Sequence, residues 1–187
     1  MRIGGRWQVN RSRQEAIGAW DRCGKVTGGD EAPGRDRDES GRARNARPRD
    51  GLGRPLAYGS SGVPTMPEDL LLSDSESVSL AQDLLDSGRP FHAHEVLEAR
   101  WKTSHDPVAR AVWQGLAQLA VGLTHEARGN SGGARSLIQR GRDRLAGIPA
   151  NSSATVDLPG VVSWADGWLA FDRDQPLRLT PRVGTGP

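Results

Sequence analysis

The sequence is short of cysteine, lysine, aromatic residues and long apolar runs. Cys23 is the single cysteine among 187 residues, so no disulfide can form within the chain, which favours a reducing cytoplasm. No apolar run approaches the ~20 residues that a membrane-spanning helix needs, and residues 1–26 lack the apolar core of a signal peptide. These absences predict a cytoplasmic protein with no membrane partner.

Charge is spread unevenly along the chain, and arginine supplies all but two of the 25 basic residues. Residues 1–66 carry 13 basic and 8 acidic residues, a net charge of +5, whereas residues 67–187 carry 12 and 15, a net charge of −3. The hydrophobic fraction of 35% is low for a globular chain, so the core is expected to occupy only part of the length. The basic first third of the chain is either solvated or a contact for nucleic acid.

Composition divides the chain into four segments. Residues 1–40 show no sustained hydrophobic period, so a disordered leader is expected there. Residues 41–67 form an Arg/Gly/Pro-rich arm that favours extended chain with tight turns. Residues 68–172 are predicted to form a helical bundle and residues 173–187 a flexible tail. The arm is expected to contact the bundle or a partner through its charged side chains, which are Arg47, Arg49, Asp50 and Arg54.

The bundle is expected to be all-α and compact, with about five helices and short connections. The central helix is the clearest, because Asp106 is a good N-cap, Pro107 suits the first helical position and Gly129 suits the C-terminal stop. The other helices are predicted over residues 75–87, 91–102, 131–146 and 158–171, with Asn130 and Asp157 as N-caps of the last two. One face of the central helix carries apolar residues at spacings of three and four: Val108, Val112, Leu116, Leu119 and Leu123.

The opposite face of the central helix lacks the Lys, Glu and Arg of a solvated surface, which predicts a helix packed on most sides. On the preceding helix, His94 and Glu98 lie one turn apart. Charged groups enter such a partly dry setting only when they are paired. The sequence therefore predicts a polar cleft made of His94, Glu95, Glu98, Trp101, Gln114, Gln118 and His125.

Three interpretations of this cleft stay open. His94, Glu98 and His125 could supply three ligands to a divalent metal ion, because imidazole and carboxylate suit Zn, Fe or Mn. His94 could instead act without metal as an acid–base group oriented by Glu98. In the third interpretation, His94 and Glu98 form a hydrogen-bonded network that fixes how two helices pack. His92 and His105 are expected at the surface.

Two segments in order, PFHAHEVLEARW and WQGLAQLAVGLTHEARGN, resemble the domain-of-unknown-function 309 family. The family pattern of an aromatic residue, His-Glu, Leu-Glu and Trp is matched by Phe91, His94, Glu95, Leu97, Glu98 and Trp101. The patterns Gln-Gly-Leu-Gln-Leu-Ala and Arg-Gly-Asn are matched by Gln114, Gly115, Leu116, Gln118, Leu119, Ala120, Arg128, Gly129 and Asn130. The resemblance covers residues 75–146, and residues 44–59 resemble the arm of actinobacterial members. It implies a small all-α bacterial protein and brings no established activity, substrate or cofactor.

The function that the sequence favours is binding or assembly by a cytoplasmic helical bundle, with a homo-oligomer as one form of assembly. The first alternative is a metal-dependent enzyme, such as a hydrolase, at the cleft of His94, Glu98 and His125. The second is a tetratricopeptide-like scaffold, because SGRPFHAHEVLEARW resembles one such repeat, although no second copy follows at the expected spacing.

Overall fold

The structure is a computed structural model of the chain, and it describes residues 47–63 and 72–180. Within these ranges the predicted all-α fold is confirmed. The five helices are α1 (Asp74–Asp86), α2 (Pro90–Thr103), α3 (Pro107–Ala127), α4 (Ser131–Ala146) and α5 (Leu158–Leu169). None of them is long and apolar enough to cross a membrane. The proposed leader over residues 1–40 lies outside the described residues.

By its contacts the chain divides into two units, whose described parts are residues 47–50 with 54–63 and residues 51–53 with 72–180. Backbone hydrogen bonds hold the first unit together, from Leu56 N to Pro48 O at 2.8 Å and from Val63 N to Arg49 O at 2.7 Å. The described part of the arm is thus extended chain closed by turns. The helices all belong to the second unit.

Four of the five helices begin at a side chain that accepts a hydrogen bond from the first turn. Ser73 and Glu76 form a reciprocal capping box at the start of α1. Asp106, Asn130 and Asp157 accept from backbone N–H groups three residues later, which confirms all three predicted N-caps. Local sequence therefore fixes where these helices start, and packing fixes how they meet.

Glycine allows α3 and α4 to approach closely. A Cβ atom at Gly115 would lie 2.7 Å from Leu145, and one at Gly122 would lie 2.6 Å from Ile138. From the other side, a Cβ at Gly141 would lie 2.9 Å from the carbonyl oxygen of Gly115. The predicted inward face of α3 is buried at Val112, Leu116 and Leu119, in a pattern of spacings of three and four. Helix α3 also packs on α2, while α1 packs on α2 and α5 on α4.

The inward face of α3 does not extend to Val108, which the periodicity places in the core but which is 41% exposed. Val108 lies in the first turn of α3 beside Asp106 and Pro107, which are also exposed, so that turn is at the end of the packed region. The hydrophobic period assigns the face of a helix correctly but does not show where its neighbours end.

Residues 177–179 are held against α1, which differs from the flexible tail expected from residue 173. Leu177 and Leu179 are buried. The side-chain amide of Gln82 on α1 donates to Leu177 O at 3.1 Å and accepts from Leu179 N at 2.8 Å. Between these two leucines, Arg178 is exposed and pairs with Asp86 of the same helix at 2.8 Å. The alternation of Leu, Arg and Leu has period two, so a search for helical periodicity does not detect it. Residues 181–187 lie outside the described residues.

Candidate functional site

The polar stripe of α2 consists of His94, Glu98, Trp101 and Lys102, which follow each other at helical spacing. His94 Nε2 lies 3.8 Å from Glu98 Oε2, and Lys102 Nζ lies 3.3 Å from Glu98 Oε1. The imidazole and the carboxylate are half-buried, whereas the Lys102 side chain is exposed. The part of the predicted cleft that belongs to α2 is therefore assembled on one face.

Burial decides the charge of His94. It is the largest influence on the imidazole and lowers the pKa of His94 below its ordinary value of 6.5. The Glu98 carboxylate opposes this shift, and the Lys102 ammonium adds to it. Because the net shift of the pKa is downward, His94 is neutral at pH 7. A neutral imidazole can donate or accept a hydrogen bond or bind a metal ion.

Two buried ring nitrogens of the polar stripe, Nδ1 of His94 and Nε1 of Trp101, have no hydrogen-bond partner among the residues that the structure describes. An unsatisfied buried donor costs roughly 1–3 kcal/mol. The Trp101 ring gains contact from Arg110, whose guanidinium lies 5.4 Å from the ring centre and donates to Trp101 O at 3.3 Å. The polar stripe thus combines close packing with incomplete hydrogen bonding, which is found both at structural networks and at functional sites.

The structure does not bring the third predicted metal ligand to this stripe. Asn130 Nδ2 donates to His125 Nδ1 at 2.9 Å, and a Cβ at Gly133 would lie 2.5 Å from the same nitrogen, so the imidazole of His125 faces the start of α4. In the part of the chain that the structure describes, no three His, Cys, Asp or Glu side chains are close enough to share a metal ion. The set of His94, Glu98 and His125 is therefore not assembled.

The glutamines of α3 also differ from the predicted arrangement. Gln118 Oε1 accepts from Arg144 Nε of α4 at 3.4 Å, so this side chain faces α4. Gln114 and Glu95 are half-buried. Helical periodicity places a residue on a face, but it does not say which of two neighbouring helices that face meets. For this reason the predicted cleft is not formed as one site: Gln118 and His125 of α3 contact α4 and its start, whereas His94 and Glu98 lie on α2.

His92 corrects the expectation of a surface histidine, because it is 1% exposed. Its ring lies edge-on to the ring of Phe91, with 5.5 Å between the centroids. His105 is exposed, as expected. Helix α2 mixes polar and apolar residues on every side, so its periodicity cannot tell which of His92 and His94 is the more deeply buried.

The predicted contact residues of the arm are engaged within the first unit. Arg54 Nε donates to Asp50 Oδ2 at 2.6 Å. The Arg47 guanidinium lies 4.8 Å from the centre of the Tyr58 ring, and the backbone of Arg49 forms isolated antiparallel bridges with Pro55 and Val63. These contacts close the turns of the arm.

Two family-motif residues hold the tripeptide 51–53, a contact that the sequence does not predict. Arg128 Nε donates to Leu52 O at 2.9 Å, and its guanidinium lies 5.9 Å from the centre of the Phe91 ring. Gly53 has a φ of 73° and lies directly against Phe91, where a Cβ would be 2.3 Å from the ring. We call these four residues, Leu52, Gly53, Phe91 and Arg128, the arginine clasp. In the sequence Gly53 lies between Leu52 and Arg54, and no local pattern indicates that Phe91 and Arg128 are its neighbours in the fold.

A cleft of about 400 Å³ lies between α5 and residues 172–180. It is a second feature that the sequence does not predict, because one of its walls is the expected tail. We call it the C-terminal cleft, and its lining residues include Asp157, Gly160, Trp164, Gly167, Asp172 and Arg178. Its volume falls within the range of small-molecule sites.

Comparison with known proteins places the polar stripe and the start of α4 in a recognised segment. Residues 78–137 match the family model described as "Domain of unknown function (DUF309)". The chain is 42% identical over 48 residues to "Uncharacterized protein YpuF" of Bacillus subtilis (strain 168). The alignment covers 26% of this chain and 28% of that protein, so it spans little more than a quarter of either. The resemblance drawn from the two sequence segments is confirmed, and neither description names an activity.

Proposed function

We propose that this protein, whose residues 78–137 match the DUF309 family model, acts by binding or assembly, with the family motif fixing the helices that present the binding surface. The motif residues then matter for the shape of the domain and not for a reaction at the polar stripe. The interpretation that His94 and Glu98 fix helix packing is the part of this proposal that can be tested most directly.

One observation carries the proposal: three polar residues of the motif, Arg128, Asn130 and Glu98, are engaged in contacts that position backbone and helices. Arg128 holds the carbonyl of Leu52 in the arginine clasp. Asn130 caps α4 and also donates to His125. Glu98 lies between His94 and Lys102 along α2. Side chains that are already committed to such contacts support a structural role for the motif.

The experiment is a set of melting curves for wild type, His94→Ala and His94→Gln, each measured with and without a chelator. Removing the imidazole takes away one neighbour of the half-buried Glu98 carboxylate, so we expect His94→Ala to lower stability by roughly 1–3 kcal/mol. Glutamine keeps a hydrogen-bonding group, and His94→Gln should therefore recover part of that loss. The proposal predicts the same curve with and without chelator for each protein.

The metal-dependent enzyme remains as a second candidate because two of its three predicted donors are together. His94 Nε2 and Glu98 Oε2, 3.8 Å apart and half-buried, are close enough to bind one ion. A bound metal would stabilise the fold through linkage, so the chelator would lower the melting temperature of wild type but of neither variant, since glutamine replaces an imidazole ligand poorly. That pattern would favour the enzyme and contradict a purely structural motif.

A further inference from the structure

We propose that the C-terminal cleft binds a linear aliphatic amine that carries a positive charge at both ends. This inference rests on the proposed binding function and names the chemical class of the ligand. The cleft lies away from the polar stripe of α2, and its walls, its charges and its aromatic side chain each restrict what it can hold.

One wall of the cleft is helical and the other is extended chain, and in each wall the residues on one side line the cleft. On α5 the lining residues are Gly160, Ser163, Trp164 and Gly167, which share one helical face. On the opposite wall the lining residues of the extended segment include Pro176, Arg178 and Thr180, alternating with the buried Leu177 and Leu179. The side-chain amide of Gln82 forms hydrogen bonds with the backbone of residues 177 and 179, so this wall of the cleft is held in place.

The charges of the cleft are a carboxylate near each end. Asp157 lies beside Gly160, and the Cβ of Asp172 lies 3.9 Å from the position of a Cβ at Gly167. The two glycines are seven positions apart in the helix, which places the carboxylates about 10 Å apart along α5. Two separated negative charges fit a ligand with a cation at each end better than a compact ion.

The single arginine of the lining does not cancel these carboxylates. Arg178 donates to both oxygens of Asp86 on α1, at 2.9 and 2.8 Å, and so its charge is balanced outside the cleft. Asp157 uses Oδ1 to cap α5, accepting from Gly160 N at 3.0 Å, and its Oδ2 lies on the cleft side against Gly160. Counted over the described residues, the lining therefore keeps an excess of negative charge.

Trp164 stands between the two carboxylates and suits the apolar middle of such a ligand. It lies four residues after Gly160 and three before Gly167. Its indole Nε1 donates to Gln175 O at 2.8 Å, which fixes the plane of the ring against the extended wall. An indole ring packs methylene groups and also attracts ammonium groups through its negative face. On the side of Gly167 the space next to the helix is open, because a Cβ there would meet no atom closer than 3.9 Å, whereas on the side of Gly160 the Asp157 carboxylate lies directly against the helix.

The experiment is calorimetric titration of the full-length protein with spermidine, followed in parallel by tryptophan fluorescence. We expect saturable binding at one site per chain that weakens with salt, and much weaker binding of n-butylamine, which has one charge. Asp172→Asn should lower the spermidine affinity roughly tenfold or more, the effect of one charged hydrogen bond. Asp174→Asn is the matched control, because it removes the same charge from an exposed side chain that does not line the cleft, and it should leave the affinity unchanged.

Gly167→Ala separates loss of the site from damage to the fold. A Cβ at Gly167 meets no atom closer than 3.9 Å, so the methyl group fits, and it occupies the cleft beside Asp172. Alanine also favours the helix over glycine. We therefore expect this variant to melt at a higher temperature than wild type and still to bind spermidine more weakly.

Three results would each overturn the amine site: equal losses for Asp172→Asn and Asp174→Asn, equal affinity for spermidine and n-butylamine, or titration without saturation. None of them depends on His94. Failure of the structural role proposed for the motif would show itself separately, as a melting curve of wild type that changes with chelator.

Discussion

Arg128 and Leu52 are joined across 76 positions of the sequence by a hydrogen bond of 2.9 Å from the guanidinium Nε to the backbone carbonyl. The same guanidinium stacks near the ring of Phe91, which in turn lies against Gly53. The arginine clasp therefore connects the end of α3 and the start of α2 to a tripeptide that precedes both helices. Residues 51–53, which lie within the arm in sequence, thus belong by their contacts to the same unit as the helices.

Replacing Arg128 with lysine should weaken the arginine clasp while keeping the charge. Lysine lacks the planar fork that holds the Leu52 carbonyl and stacks on Phe91. Because Arg128 is exposed, we expect a loss of only about 1 kcal/mol in the free energy of unfolding. Urea denaturation measures it, with Arg140→Lys on the exposed face of α4 as the control. Equal stability of the two variants would show that the clasp contributes nothing.

We expect Gly53→Ala to lower the free energy of unfolding by more than the left-handed backbone conformation alone would. The comparison is Gly88→Ala, which has a φ of 69° and no atom within 4 Å of the added Cβ, against Gly53→Ala, with a φ of 73° and the Phe91 ring at 2.3 Å. Both variants pay roughly 1–2 kcal/mol for the left-handed backbone. Overpacking should add about 1–3 kcal/mol at Gly53 only.

Combining Gly53→Ala with Phe91→Ala tests the source of that additional cost. Removing the ring removes the clash, so the two changes should be strongly non-additive in their free energies of unfolding. Additive losses would mean that Phe91 moves aside at little cost in the single variant. A thermal melting series of the four proteins is sufficient.

Stability should fall as the pH is lowered through the range of His94. The pKa of His94 is lower in the folded chain than the ordinary 6.5, because burial disfavours the charged ring. The unfolded chain therefore binds more protons below pH 6.5, and stability rises with pH in that window. The stabilisation is complete above 6.5 and is lost as the pH falls from 6.5 to the folded pKa.

His94→Gln isolates this contribution, since glutamine does not titrate. Urea denaturation of wild type and variant between pH 5 and pH 8 should give a difference in free energy of unfolding that narrows toward acid. A difference that stays constant over this range would show that the pKa of His94 is not shifted by folding.

Leu179→Ala should destabilise the domain as a core substitution does, by roughly 2–5 kcal/mol. Leu179 is 0% exposed, and its backbone N–H and C=O are bound by Gln82 and Asp157. Thr180→Ala, at an exposed neighbouring position, is the control and should change stability by less than about 0.5 kcal/mol. A mild effect of Leu179→Ala would support the flexible tail expected from the sequence.

Much of the fold follows from local signals. The caps Asp106, Asn130 and Asp157 mark helix starts with single side chains, and the apolar spacing around Leu116 marks the core. Such signals depend on a few neighbouring residues, which is why a single sequence shows them. Val108 and His92 fall outside the prediction because their burial depends on where neighbouring helices end, which is tertiary information.

The candidate site was predicted less completely for the same reason. His94 and Glu98 meet because they lie on one helix, four residues apart. His125 and Gln118 lie on α3, and their direction is decided by the approach of α4, which the glycines at 115 and 122 bring close. The C-terminal cleft depends on contacts between residues about 95 positions apart, such as Gln82 and Leu177. No local pattern encodes such a pairing.

The hydrogen bonds between Gln82 and residues 177 and 179 also bear on the order in which the helices and the C-terminal segment fold. Helices α2, α3 and α4 are sequence neighbours, so their contacts close short loops and can form early. The hydrogen bond of Gln82 to Leu177 joins residues 95 positions apart. Until residues 177–179 dock, the side of α1 that they cover is exposed to water. We therefore expect Leu177 and Leu179 to dock after α2, α3 and α4 have packed, and the same step would complete the wall of the C-terminal cleft.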